Sequence, residues 1–174
     1  MQVFRLNAEN AEAVGRLMTD IRPIWWPDFQ DAYGQLTDIE ESIETVGWLL
    51  GEDEAHPKGW ALCRELKCYS AIELECCGYD DNGIFKLEHK LGALFDIIAD
   101  YGRAKGYAVF RTGMSTEGFN IDGRPLDDIP KAMERLETDR VDFHWLLNYG
   151  FRVIGIQPNA WENNRHLILF ALSL

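Results

Sequence analysis

Lys86, His89, Lys90 and Gly92 stand together just ahead of an amphipathic stretch that ends at Gly106. Two bases, an imidazole and a glycine in front of a helix suit an anion. The first-turn amides of a helix have no internal partner, and the macrodipole is positive there. A loop of this composition feeding a helix N-terminus therefore favours a phosphate, and a phosphate-bearing cofactor is the expected occupant. An exposed basic loop that only avoids the core is the bland alternative. For Gly92 the alternative is close packing of helix on strand.

The elements that must position this loop follow from periodicity. Ala71–Tyr79 alternates like a strand and ends at the turn-forming run Asp80-Asp81-Asn82-Gly83. A helix over about Leu91–Lys105 turns Leu94, Ile97, Ile98 and Tyr101 inward, and Gly106 has the type and place of a C′ residue. Tyr107–Arg111 then returns parallel to the earlier strand, which makes a βαβ unit. Upstream, Val3–Leu6 reads as a short strand. Asn7 is placed to cap a helix to about Thr19 with Ala11, Val14, Leu17 and Met18 buried. The segment Ile21–Gln35 is aromatic, Pro-interrupted and read as a loop. Thr37-Asp38-Ile39-Glu40 fits a capping box for a helix carrying Ile39, Ile43 and Val46. Gly47–Leu50 and Gly59–Leu66 form a hairpin about the polar turn GEDEAHPK. A long insertion, 115–140, contains a turn at IDGRP and a short helix over Ile129–Glu137. Val141–Tyr149 is a helix closed by Gly150. Strands at Phe151–Gln157 and His166–Ser173, joined by the loop Pro158–Arg165, finish the chain. The last strand is nearly uncharged and so is expected to be central.

Composition narrows the class. The 174 residues suffice for one domain, residues 1–174, and 47% hydrophobic with 12% aromatic content excludes a disordered chain. No apolar run approaches the roughly 18 residues of a membrane span, and the N-terminus lacks the pattern of a signal peptide. Cys63, Cys68, Cys76 and Cys77 show no metal-ligand spacing, so reduced thiols of a cytoplasmic protein with no metal are expected. Net charge is −12, and residues 1–57 hold twelve acids against three bases. Such a field repels nucleic acid and anionic lipid. It is either a solvated face or an acidic rim that steers an amine.

The order of elements resembles the GCN5-related N-acetyltransferase (GNAT) superfamily over nearly the whole chain. The likeness is carried by KLEHKLGALFDIIADYGRAKGY and by FHWLLNYGFRVIGIQPNAWENNRHLILF. The second block has a helix ending in an aromatic-Gly-Phe turn, a strand, a PNA-containing loop and a His-led apolar last strand. The first departs from the superfamily's usual Gln/Arg-x-x-Gly-x-Gly/Ala loop, whether read from Lys86 or from His89. Neither register supplies both small residues. The resemblance implies an α/β (α+β) fold: a mixed central sheet of six to seven strands flanked by helices, with the 115–140 segment inserted before the last long helix. That segment is a lid or a dimer contact.

The resemblance also implies acetyl-CoA as co-substrate. Its pantetheine would pair with Cys76, Cys77, Gly78 and Tyr79. Its pyrophosphate would sit on the segment Lys86, Leu87, Glu88, His89, Lys90, Leu91 and Gly92. Glu73 and Glu75, two apart on a strand and so on one side, are the candidate bases. Cys77 or Gly78 would offer the N–H that polarises the carbonyl. The superfamily's frequent tyrosine acid is replaced here by Leu146. Tyr149, about one turn later, is the substitute, with water as the other proton source. Trp25, Trp26, Asp28 and Phe29, with Tyr33 and Asp31 beside them, would line the acceptor pocket, with Trp161 and Asn163 opposite. A plug over one end of the sheet is the alternative for these aromatics. Transfer of acetyl from acetyl-CoA to a cationic primary amine (a small molecule, an amino acid or a peptide terminus), by direct attack in a ternary complex, is one implied function, in a monomer or a homodimer. A non-catalytic CoA-binding or sensor module is another, and an interaction domain unrelated to CoA is a third.

Overall fold

The structure, a computed structural model, describes residues 1–41, 44–80 and 91–174, with backbone only at 39–41. Seven strands form one mixed sheet: β1 (Gln2–Arg5), β2 (Thr45–Gly51), β3 (Pro57–Leu66), β4 (Ala71–Tyr79), β5 (Val109–Ser115), β6 (Arg152–Glu162) and β7 (Arg165–Ser173). Their order across the sheet is β1-β2-β3-β4-β5-β7-β6. Among the described residues only β4 and β5 pair in parallel, across the crossover helix α3 (Gly92–Lys105). Apart from Arg165 at its start, β7 is uncharged, and it lies inside the sheet, between β5 and β6.

Two apolar layers sandwich the sheet. On one face, α3 and α5 (Val141–Tyr149) bury Leu94, Phe95, Ile98 and Leu146 against Ile72, Phe110 and Phe170. Phe95 meets Phe110, Trp145, Tyr149 and Phe151 at ring-centroid distances of 4.9–5.9 Å, mostly edge-on, the arrangement favoured by ring quadrupoles. On the other face, α1 (Ala11–Ile21) and α2 (Phe29–Glu41) cover Leu49, Trp60 and Leu62. Gly106 (φ 77°) and Gly150 (φ 115°) end α3 and α5 in left-handed conformations, as their positions predict.

Several expectations fail. Thr37 does not cap a helix: α2 starts eight residues earlier, and the Thr37 hydroxyl donates to the carbonyls of Tyr33 and Gly34 inside it. Asp28 is the true cap, accepting from the Asp31 amide at 3.0 Å. Val46 belongs to β2, not to that helix. The loop expected at Pro158–Arg165 is largely strand, since β6 runs to Glu162 and turns at Asn163-Asn164. Pro158 is tolerated there because β6 is an edge strand. Asn7, by contrast, does cap the turn that opens α1, its Oδ1 accepting from the Glu9 and Asn10 amides at 2.9 and 3.2 Å; Ile97 on α3 points outward.

The 115–140 insertion packs back on the sheet's β6–β7 end. Its short helix α4 (Ile129–Glu134) is capped by Asp128. His166, buried at the start of β7, ties the insertion to the hairpin. Its Nδ1 accepts from the Asn159 amide at 3.1 Å, and its Nε2 donates to the Arg124 carbonyl at 2.8 Å. Both partners are backbone groups with fixed roles, so the ring is the neutral Nε2–H tautomer.

Candidate active site

The parallel pair β4–β5 is the origin of the site. The two strands share only three rungs, Ala71↔Val109, Ile72↔Phe110 and Glu73↔Arg111. Beyond these, β4 stays with β3 as far as Tyr79, and β5 stays with β7 as far as Ser115. The strands therefore part into a V with its vertex at Glu73–Arg111. A β-bulge accompanies the parting: Leu62 faces Cys76 and Cys63 faces Leu74, which leaves Glu75 as an extra residue on β4. Bulges sharpen local twist and bend the strand that carries them. From Leu74 on, the β5-facing edge of β4 has no ladder partner among the described residues. Such an edge accepts an extended, amide-bearing ligand as an added strand.

Cys76, Cys77, Gly78 and Tyr79 form that edge. Gly78 is required by packing. A Cβ there would lie 2.1 Å from Trp60 Cη2, and Trp60 is wholly buried beneath it. Burial holds the Cys76 and Cys77 thiols protonated, pushing each up to about 12. At neutral pH only about one thiol in 10⁵ would be ionised at such a value. Neither cysteine is then a ready nucleophile toward a thioester in the cleft.

Glu73 and Glu75 both face the α1/α2 side of the sheet, and each is held by an arginine. Glu73 pairs with Arg111 on β5 at 3.2 Å, and Glu75 pairs with Arg64 on β3 at 3.0 Å. Arg64 lies opposite Glu73 in the β3–β4 register. The four side chains make an alternating ladder, Arg111–Glu73–Arg64–Glu75, across the vertex. The sequence reading missed both arginines. Each sits on a strand whose register alone brings it to the glutamates, and no local pattern reports that register.

At the open end of the V, α3 begins at Gly92, preceded by Leu91. Among the described residues its first turn has no side-chain cap and no acidic residue, and its amides lie at the positive end of the dipole. A Cβ on Gly92 would meet nothing within 4 Å among the described residues, so packing against them does not account for the glycine. Lys86, Leu87, Glu88, His89 and Lys90 lie outside the described residues. Tyr149, on α5, donates its hydroxyl to Asp96 of α3 at 2.6 Å. Burial first, and then Asp96, raise its ionisation well above the ordinary phenol range. Leu146 is buried in the core.

The aromatic segment divides in two. Trp26 is a core residue: its ring meets Trp60 edge-on at 5.9 Å, and its Nε1 donates to Gln35 Oε1 at 2.8 Å. Phe29 and Tyr33 belong to a helix rather than a loop. They stack at 5.3 Å and pack on α1, where a Cβ on Gly15 would touch Phe29 at 3.2 Å. Asp28 serves as the α2 cap. Trp25 is 56% exposed beside Ile24 at 92%, and it lies over the Arg22 guanidinium at 5.4 Å. Trp161, 60% exposed, stands at the tip of the β6–β7 hairpin. Among the described residues, no His, Cys, Asp or Glu group is arranged to hold a metal.

No family model matches the chain, and no curated protein matches it. Solved structures do. An aminoglycoside 6'-N-acetyltransferase from Enterococcus faecium superposes with a TM-score of 0.76 at 13% identity, over 99% of this chain and 97% of that one. An aminoglycoside 6'-N-acetyltransferase complexed with coenzyme A gives 0.80 at 13% identity, with the same coverage of 99% and 97%. The ribosomal-protein-S18-alanine N-acetyltransferase of Escherichia coli gives 0.66 at 12% identity, over 99% of this chain and 92% of that one. The chain has the fold of the GNAT acetyltransferases along its whole length.

Proposed function

We propose that this protein is an N-acetyltransferase that moves acetyl from acetyl-CoA to a primary amine in a ternary complex. The observation that carries this reading is the parting of β4 from β5 after Glu73↔Arg111. It leaves a backbone edge for pantetheine, with the uncapped start of α3 at its open end. Cys76, Cys77, Gly78 and Tyr79 would bind the pantetheine. Lys86, Leu87, Glu88, His89, Lys90, Leu91 and Gly92 would take the pyrophosphate. The acceptors named for the similar structures, aminoglycosides and a protein alanine, are amines and fit this class.

The amine nitrogen attacks the thioester carbon, the C–S bond breaks, and the products are an amide and CoA. The arriving ammonium first gives one proton to Glu73 or Glu75, directly or through water, which frees the lone pair for attack, and the nitrogen gives its second proton to solvent as the amide forms. The Cys77 or Gly78 N–H polarises the carbonyl. The departing thiolate takes its proton from water or from Tyr149, whose hydroxyl must first leave Asp96. The protonated state of Cys76 and Cys77 supports direct attack over an acyl-cysteine intermediate. Trp25, Trp161 and Asn163 would flank the acceptor, which arrives as an ammonium drawn by the acidic N-terminal third. Four cysteines outside any disulfide support a cytoplasmic setting. The open edge of β6, with Ile154 exposed, supports a homodimer.

The test is steady-state CoA release against a panel of amines, for wild type, Glu73→Gln and Glu75→Gln. Release that depends on the amine and falls about 10²- to 10⁴-fold in one variant is expected. Release that is absent for every amine, with acetyl-CoA still bound, would establish the second reading, a CoA-binding module without turnover. The ion pairs that engage both carboxylates favour that reading.

A further inference from the structure

We propose that the acceptor is an α-amino acid, bound by its carboxylate as well as by its amine. This rests on the acetyltransferase reading. In a chain with 29 acids and 17 bases, the vertex of the V is locally balanced. Two guanidiniums, Arg64 and Arg111, alternate with two carboxylates, Glu73 and Glu75. An acidic rim built for a polyamine or a plain amine would have no use for the arginines there. Each guanidinium carries five N–H donors in a planar fork that matches a carboxylate. The ion pairs are made through Arg111 Nη2 and Arg64 Nε, and both arginines remain partly exposed.

The spacing fits. Glu73 and Arg111 are partners in the last β4–β5 rung, and Glu73 and Arg64 are partners in the β3–β4 ladder. Adjacent strands lie about 4.8 Å apart. Opposite charges presented one strand apart are spaced for a ligand whose ammonium and carboxylate sit on one carbon. Such a ligand exchanges ion pairs with the ladder without leaving a charge unpaired, and this limits the desolvation cost. Its ammonium meets Glu73 at the vertex, beside the edge that would hold the thioester. Arg111 and Arg64 are then specificity-determining residues.

The experiment compares phenylalanine, phenylalaninamide and phenethylamine as acceptors in CoA release with wild type, Arg111→Gln, Arg111→Lys and Arg64→Gln. Calorimetry of the same three ligands on the CoA-saturated protein accompanies it. In wild type, kcat/KM for phenylalanine should exceed that for phenethylamine by about 10- to 100-fold, the range expected of a charged hydrogen bond. Arg111→Gln should collapse that ratio through the KM for phenylalanine, and Arg111→Lys should restore part of it. Equal or better use of phenethylamine and phenylalaninamide by wild type overturns the inference and leaves acetyl transfer standing. So does a ratio unmoved in both Gln variants. Failure to bind acetyl-CoA at all overturns the acetyltransferase reading, and this inference with it.

Discussion

Gly78→Ala probes the cleft edge without touching a charge. The added methyl would lie 2.1, 2.4 and 2.7 Å from Cη2, Cζ3 and Cζ2 of Trp60. Those ring atoms cannot simply withdraw. Trp60 is fully buried, and its other side meets Trp26 at 5.9 Å. Either β4 moves away from β3, or both tryptophans repack. Overpacking of this kind costs about 1–3 kcal/mol. For a chain of this length, about 2 kcal/mol corresponds to a Tm loss of roughly 4–8 °C. The displaced segment is also the proposed pantetheine edge, so acetyl-CoA affinity should fall with stability. Urea unfolding and calorimetric titration of Gly78→Ala, Trp60→Phe and the double variant form a cycle. Trp60→Phe makes room, so the double variant should be less destabilised than the sum of the singles by about 1 kcal/mol or more. A Gly78→Ala protein with wild-type stability, or strict additivity in the cycle, would refute the packing that makes Gly78 obligatory.

Other outcomes follow from the same geometry. At pH 8 a thiol reagent should modify exposed Cys68 first and the half-buried Cys76 and Cys77 more slowly, while fully buried Cys63 reacts only on unfolding; native modification of Cys63 as fast as that of Cys68 contradicts this order. His166→Ala leaves the Asn159 N–H and the Arg124 carbonyl without their buried partner. It should cost about 2–4 kcal/mol, whereas a loss under about 0.5 kcal/mol in urea unfolding would show that the ring does not tie the insertion to the hairpin. Tyr101 donates to the buried Glu65, and burial first, then Glu65, raise it from 10.0 to about 12. A raised folded value stabilises below the unfolded pKa and is lost as pH climbs through the folded one. Stability should therefore drop between pH 10 and about 12, and less so in Tyr101→Phe; equal alkaline losses in the two proteins would remove this contribution.

Much of the architecture is legible in the chain, because local rules and tertiary needs agree there. The β2–β3 hairpin follows from a polar turn between apolar runs, and the α3–β5 return follows from Gly106 at φ 77°. The start of α2 was hidden by its composition. A Trp-Trp-Pro run reads as loop, yet Asp28 after Pro27 and the i,i+4 pair Phe29/Tyr33 already carry the cap and the helical spacing. The site was legible only as residue types. That Glu73 and Glu75 share a side follows from alternation. The bulge at Glu75 and the partners Arg64 and Arg111 depend on inter-strand register, which no single strand encodes. The extension of β6 past Pro158 depends on its being an edge, which is a property of the whole sheet.

The parted strands and the start of α3 are predicted to hold acetyl-CoA. Isothermal titration of acetyl-CoA into wild type and into the Lys86→Ala/His89→Ala double variant tests it most directly. One site of micromolar affinity, weakened about tenfold or more when both side chains are removed, is the predicted result. No heat of binding to wild type at millimolar acetyl-CoA would contradict it.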